Sequence, residues 1–456
     1  MHSIYVKDVV RVCHAKLLCG YVDLELTQFC IDSRKATNGD VYVGICGETV
    51  DGNDFYKEAI RKGATCLILS KEPQNKELGN VTILLVEDTL KCLQELAHYK
   101  RSLYDIPVIA ITGSVGKTST KDIVYSVVSQ EYHTHKTIGN YNNHLGVPLT
   151  ILGLRDHEAM VVEMGMNHFG EISLLSHIVE PTIAIITNVG TAHIGNLGSR
   201  ENIRKAKLEI LDGMIGNQLI LNHDDDMLVQ VEEELKSRYQ LRTVSILEKS
   251  DYRAVFLEED VFSSTFDILG HTDHVVVNVG GRAYVYNSLI AYAVGNLLNI
   301  SDEKIKEGIF KFKLTGSRLE KKITKKGIVL IDDTYNANYD SMKASIELLG
   351  RVRDKRKIAI LGDMLELGEY TEELHTKLGD VVVANEIDRL ITIGKYSKLI
   401  AKRTLELGMK QEYIVSFENE QDSYSFLDEF LDQKDIVLLK GSHGIHLIGI
   451  VDYLMK

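Results

Sequence analysis

The run Thr112-Gly113-Ser114-Val115-Gly116-Lys117-Thr118 carries the sharpest chemistry in this sequence. It follows the β-branched pattern Val-Ile-Ala-Ile-Thr at 108–112 and opens a helical pattern. That is the context in which a glycine-rich turn wraps phosphates. Successive N–H groups and the positive helix end hold an anion there. Gly113, Ser114, Val115 and Gly116 would form the cradle. Lys117 would reach the terminal phosphates and the Thr118 hydroxyl would ligate Mg²⁺. The spacing departs from G-x-x-x-x-G-K-[ST], because Ile111 stands where the first glycine would be.

In open α/β sheets ligands bind beyond the carboxyl ends of the strands, so other strand ends should face the same crevice. Glu163 closes Val161-Val162-Glu163, and His193 lies in the loop after the apolar run at 182–190. A carboxylate and an imidazole beside a triphosphate suit a second metal ion, with a salt bridge or a cap as the plainer reading of either. Asn140, Asn142 and Asn143 crowd one loop, where they serve a tight turn or hydrogen-bond a sugar or peptide. By spacing alone, Lys205 and Lys207 read as a solvated helix face. Three later strand runs end in Asp332-Asp333-Thr334-Tyr335-Asn336-Ala337-Asn338, in Gly362-Asp363-Met364-Leu365-Glu366 and in Lys440-Gly441-Ser442-His443, which suggests a second ligand-binding edge.

The elements that would position these residues form three α/β segments. Residues 1–101 give short strands at 29–34, 39–47, 64–70 and 81–86 and a helix over 88–101. Residues 102–314 restart at Tyr104-Asp105-Ile106-Pro107 and alternate apolar strands at 108–112, 159–165, 182–190 and 217–225 with helical patterns, closing on a helix near 287–298. Residues 315–456 repeat that rhythm with strands at 327–334, 357–364, 389–394 and 435–442. The expectation is a small N-terminal α/β domain, a central phosphate-loop domain on a parallel sheet, and a Rossmann-like, doubly wound C-terminal domain.

Composition narrows the classes. Across 456 residues, 44% apolar and 26% charged is ordinary for a folded protein. A net charge of −13 supplies no basic field for nucleic acid or an anionic membrane. No apolar run approaches a membrane span and the start lacks a signal-peptide core, so the expectation is a cytoplasmic protein without membrane insertion. All six cysteines fall within the first 92 residues without metal-ligand spacing, and are expected to be reduced and mostly buried thiols.

On these motifs the sequence resembles the Mur ligase family, in its MurF branch. The resemblance covers essentially the whole chain and is carried by Asp32-Ser33-Arg34, the pattern at 39–55, TGSVGKT, GNYNNHLGVPLT, VVEMG, TNVGTAHI, AKLEI, DDTYNANYDSM and LGDMLELGE. It implies an ATP-dependent amide ligase acting as a monomer on UDP-MurNAc-tripeptide and D-Ala-D-Ala through an acyl phosphate. By residue, it assigns Lys117, Glu163, His193 and Lys207 to catalysis. It assigns Thr118, Glu163, His193 and a carbamylated Lys207 to two Mg²⁺ ions, replacing the solvated-face reading of Lys207. Asn287, Arg318 and Asp333 would contact the nucleotide, and Ser33, Arg34, Gly47 and Asn53 the uridine diphosphate. Asn140, Asn142, Asn143, Asn336 and Asn338 remain candidate substrate contacts. Three positions depart from the family pattern: Asn53 for His, Tyr339 for Pro and His443 for Arg. A folylpolyglutamate synthase or MurE type is the nearest rival, which DDTYNAN and LGDMLELGE oppose. A phosphotransferase or GTPase-like switch is the rival from another class, opposed by the lack of an N-K-x-D motif.

Overall fold

The hydrophobic rhythm of the sequence becomes mixed α/β structure with several parallel sheets, as expected. The computed structural model describes residues 2–74 and 79–456. The chain gathers into two units, the first made of Met1–Ile111, Tyr132–Ala184 and Glu209–Asn217 and the second of Thr112–Glu131, Ile185–Leu208 and Gln218–Lys456. Among the described residues no helix is long and apolar enough to cross a membrane.

The first unit contains a five-stranded sheet in the order Lys16–Cys19, Thr82–Leu85, Cys66–Leu69, Val41–Val43, Phe29–Cys30, parallel except for its first member. Tyr42, Leu67, Leu69 and Ile83 bury one face against Tyr56 and Ala59. Helix Thr89–Ser102 begins where the Asp88 carboxylate accepts the N–H groups of Leu90 and Lys91, and its core side is Cys92, Leu93, Leu96 and Ala97, the spacing of one helical face. The buried Arg101 at its last turn donates to the carbonyls of Val179, Glu180 and Tyr104. Two of those carbonyls lie at the end of helix Glu171–Val179, where backbone acceptors lack helical partners. The same unit holds a parallel ladder in which Ala159–Glu163 pairs on one side with Thr134–Lys136 and on the other with Val108–Ile111, setting Glu163 opposite Ile111.

In the second unit strands Gln218–Asn222, Gln240–Ser245 and Tyr252–Glu259 pair in parallel, and Ser264–Ile268 and Thr272–Val277 extend them antiparallel. The sequence reading omits that meander. Its helix also starts earlier than expected, spanning Arg282–Leu297. A six-stranded sheet follows in the order Glu320–Ile323, Val329–Asp332, Asp435–Lys440, Arg356–Gly362, Arg389–Ile393, Ile414–Phe417, parallel after its first strand. Alternate residues feed opposite cores: Ile331, Ala359, Leu361 and Leu438 pack with Met342, Ile346 and Leu378, while Leu330, Ile358, Ile360 and Leu439 pack with Leu427 and Ile450. Both faces are therefore covered, which is why these strands read as continuous apolar runs.

One expectation needs correction. The six cysteines are free, but only Cys66 and Cys92 are buried; Cys13 and Cys30 are half-buried and Cys19 and Cys46 exposed. Cys19 and Cys30 end the two edge strands of the small sheet, Cys13 follows helix Val6–Val12 and Cys46 lies in the loop after strand Val41–Val43, so these thiols meet solvent.

Candidate active site

In the second unit the chain turns at Gly113 and Gly116 into helix Lys117–Val128. Gly113 admits no side chain, since a Cβ would stand 1.9 Å from Thr187 Oγ1, and Gly116 has φ +85°. The loop after the apolar strand grips this turn. Thr187 Oγ1 donates to the Val115 carbonyl at 2.8 Å, while Asn188 accepts the Val115 N–H and donates back to its carbonyl, both at 2.9 Å. Lys117 Nζ donates to the Gly113 carbonyl at 2.8 Å. Thr112 Oγ1 and Ser114 Oγ are buried and have no hydrogen-bond partner among the described residues. Buried hydroxyls left in this way beside a helix N-terminus fit a phosphate chain that accepts from them.

Asn287 closes the turn from helix Arg282–Leu297. Its Oδ1 accepts from Thr120 Oγ1 at 2.9 Å and lies 3.4 Å from where a Cβ on Gly116 would be. Arg318 reaches the turn as well, with Nη2 donating to Thr118 Oγ1 at 3.2 Å and Nη1 to the Thr315 carbonyl at 2.7 Å. Its guanidinium lies 3.6 Å from the Tyr335 ring centroid, a cation–π contact that fixes the planar group. Asp333 faces inward: its Oδ2 accepts from Ser345 Oγ and from Lys440 Nζ, each at 2.6 Å.

The three strand ends named from sequence converge at the switch in strand order. Ser442 N–H donates to the Asp363 carbonyl at 3.0 Å and Leu365 N–H to Ser442 Oγ at 2.9 Å. The Asp363 carboxylate is spent on the N–H groups of Lys395, Tyr396 and Ser397. The buried His375 accepts the Met364 N–H at Nε2 and donates from Nδ1 to the Thr371 carbonyl, which holds the segment after Asp363. Asn338 caps helix Tyr339–Gly350 through Ser341, and Asn336 Oδ1 accepts from the Ala337 N–H. Tyr339 is therefore the first helical residue, a position that proline also suits. His443 is exposed in a single turn of 3₁₀ helix.

His193 has φ +64°, and its Nδ1 lies 3.4 Å from Glu366 Oε2. Lys207, on helix Arg200–Leu208, is only 1% exposed, whereas Lys205 is exposed. The solvated-face reading therefore fails for Lys207, because the helix turns that side inward beside Ile203 and Ala206. Burial above all, and then the charge of Lys117, pushes the Lys207 amine well below its ordinary range, with Asp225 acting the other way. Among the described residues no three His, Cys, Asp or Glu side chains are grouped to hold a metal ion. Mg²⁺ needs no such cage, since substrate phosphates and water complete its octahedron.

The first unit carries the remaining candidates. Glu163 is buried, with Oε1 accepting from Asn142 Nδ2 at 2.8 Å and its N–H donating to Thr137 Oγ1. Asn143 Oδ1 accepts from Leu145 and Gly146 at the start of helix Gly146–Leu152, and Asn140 is exposed. Ser33 Oγ donates to Glu58 at 2.5 Å, Arg34 is an exposed partner of Asp32, and Gly47 is exposed in a loop. Asn53 is buried, and its amide is engaged by Asp51 and Ser70.

Known families match this arrangement along the chain. The Mur ligase family catalytic domain matches residues 25–101, the Mur ligase middle domain residues 111–295, and the Mur ligase glutamate ligase domain residues 317–443. A Bacillus subtilis UDP-N-acetylmuramoyl-tripeptide–D-alanyl-D-alanine ligase is 35% identical over 431 residues, spanning 93% of this chain and 92% of that one. The chain belongs to the Mur ligase family. Two solved structures resemble this Mur ligase closely. MurF from Acinetobacter baumannii superposes with a TM-score of 0.90 at 29% identity over 100% of this chain and 99% of that one. MurF from Thermotoga maritima in complex with ADP gives 0.81 at 28% identity over 94% and 97%. Motif reading passed over the contacts that tie these candidates together: Thr187 and Asn188 bond to Val115, Tyr335 lies against Arg318, and Asp340 accepts from Thr191. Thr187, Asn188 and Tyr335 lie in the same strand-end loops as the candidates, and Asp340 in the helix turn that follows one of them, which was the available signal.

Proposed function

We propose that this chain is an ATP-dependent ligase that joins D-alanyl-D-alanine to UDP-N-acetylmuramoyl-tripeptide in the cytoplasm. The observation that carries the reading is the phosphate turn of the second unit, closed by Asn287 and reached by Arg318. The names of the relatives supply the substrates. A carboxylate oxygen of the tripeptide attacks the γ-phosphorus of ATP, and the bond to the bridging oxygen breaks, releasing ADP and leaving an acyl phosphate. The uncharged amine of the dipeptide then attacks the acyl carbon. The C–N bond forms, the C–O bond to phosphate breaks, and the amine gives up a proton.

Little of this is covalent work for the protein, so positioning and charge dominate. Lys117 and Arg318 would neutralise charge growing on the transferred phosphoryl oxygens, and the Thr112 and Ser114 hydroxyls would donate to phosphate. When bound, Mg²⁺ polarises the phosphoryl oxygens and offsets their charge. Thr118, His193 and Lys207 are candidate ligands in the second unit and Glu163 in the first, with Lys207 serving after carbamylation. Its depressed basicity favours the neutral amine that adds to CO₂. Ser33, Arg34, Gly47 and Asn53 stay candidates for the uridine diphosphate, as do Asn140, Asn142, Asn143, Asn336 and Asn338 for the peptide parts. Because the Asn53 amide is already engaged, any role it has is to shape the loop.

The test is phosphate release from ATP with UDP-MurNAc-tripeptide, with and without D-Ala-D-Ala, while product mass is followed. Dipeptide-dependent release with a mass gain of D-Ala-D-Ala less water is expected. Release that ignores the dipeptide but follows another amino acid would overturn the substrate assignment.

A further inference from the structure

Thr191 is held from outside its own loop. Asp340 Oδ2, in the first turn of helix Tyr339–Gly350, accepts the Thr191 N–H at 2.6 Å and the Thr191 hydroxyl at 2.8 Å. The neighbouring Gly190 makes room for that carboxylate, since a Cβ there would stand 2.3 Å from Oδ2. The helix start that presents Asp340 is itself fixed by the reciprocal bonds of Asn338 and Ser341.

Upstream, the same loop grips the phosphate turn through Thr187 and Asn188 on Val115. Downstream, Tyr370 Oη donates to the Gly198 carbonyl at 2.8 Å, and a Cβ on Gly195 would press within 2.8 Å of the Gly368 backbone. One continuous path therefore runs from Val115 through Asn188 to Thr191, across to Asp340, and along the segment that carries Asp333, Asn336 and Asn338. Three peptide units separate the two clasps, too few for one end to shift without loading the other.

We propose that Asp340 is a positioning residue whose paired hydrogen bonds to Thr191 transmit nucleotide occupancy at the phosphate turn to segment 333–345, which meets the incoming amine. The substrate half of this inference rests on the ligase reading; the clasp itself does not. Two states are defined, Thr191 clasped and Thr191 released, and nucleotide favours the first.

Hydrogen–deuterium exchange of the full chain with ADP as the probe tests it. In the parent, ADP slows exchange at 112–120 and at 336–345. In Asp340→Ala, which removes the oxygen that accepts both bonds, protection at 112–120 persists and protection at 336–345 is lost. Turnover in that variant shows the KM for D-Ala-D-Ala raised about tenfold with the KM for ATP little changed. Thr191→Val, which deletes only the hydroxyl bond, weakens the distal protection, and Thr191→Ser restores it; this pair decides if Asp340→Ala does not fold. Equal ADP protection of 336–345 in parent, Asp340→Ala and Thr191→Val overturns the proposal, as does loss at both segments together. A parent that makes no product with D-Ala-D-Ala defeats the ligase reading and leaves the exchange result to judge the clasp.

Discussion

His193 Nδ1 lies 3.4 Å from Glu366 Oε2, and both residues hold left-handed backbone, at φ +64° and +66°. For an L-residue with a Cβ this conformation costs about 1–2 kcal/mol, so the surrounding packing must hold it. Glu366→Gly and Glu366→Val both remove the carboxylate, but only glycine relieves the backbone. Urea denaturation should find the glycine variant more stable than the valine variant by about 1–2 kcal/mol. Equal stabilities would mean that the backbone at 366 carries no strain.

Gly113 faces Thr187 across the phosphate turn with no space for a methyl group, since the Cβ would lie 1.9 Å from Oγ1. Gly113→Ala must displace Thr187 and break its bond to Val115. We expect a loss of about 1–3 kcal/mol and a much smaller rise in melting temperature on adding ADP. Adding Thr187→Ala removes the clashing oxygen, so the double variant should be less destabilised than the two single losses added together. Strict additivity, measured by denaturation, would sink this account.

The sequence made the strand-end chemistry legible because each strand of a doubly wound sheet is a plain apolar run that stops abruptly at polar residues. Asp333, Asp363 and Ser442 were found that way, and the order of their strands then brings them together. Lys207 was illegible from spacing, since Lys205 and Lys207 are both basic in one turn and only the packed helix shows which is buried. The meander at Tyr252–Val277 escaped for a different reason. Each of its two antiparallel pairings carries a register shift, which breaks the two-residue alternation that a periodicity reading needs. The clasp of Asp340 on Thr191 joins residues 149 positions apart, and no local pattern encodes it.

Lys207 separates stability from activity. Its amine is buried and pushed toward the neutral form, so Lys207→Met fills similar volume without a polar group. Stability should hold within about 1 kcal/mol or rise, while phosphate release falls at least about 100-fold. Lys207→Ala should likewise abolish ligation, and added bicarbonate should raise the activity of the parent alone. Undiminished turnover in Lys207→Met, assayed by phosphate release, would remove the residue from the mechanism.

His157 gives the chain an acid-sensitive site in the first unit. Its ring lies 4.4 Å from that of His133 and 4.6 Å from that of His135, and its Nδ1 accepts the Arg155 N–H at 3.0 Å. Burial first, then His135 and His133, lower it to about 4 from an ordinary 6.5; Arg155 adds to the effect and Asp156 opposes it. Between those values the unfolded chain binds a proton that the folded chain refuses, so this contribution to stability is lost as pH falls from 6.5 toward 4. The half-open site is screened by water, which limits the effect to on the order of 1 kcal/mol. His157→Asn keeps an acceptor for the Arg155 N–H and cannot titrate in this range. Urea midpoints at pH 7 and pH 5 should therefore separate less in the variant than in the parent, and an equal separation would show that His157 titrates as freely in the folded chain as in the unfolded one.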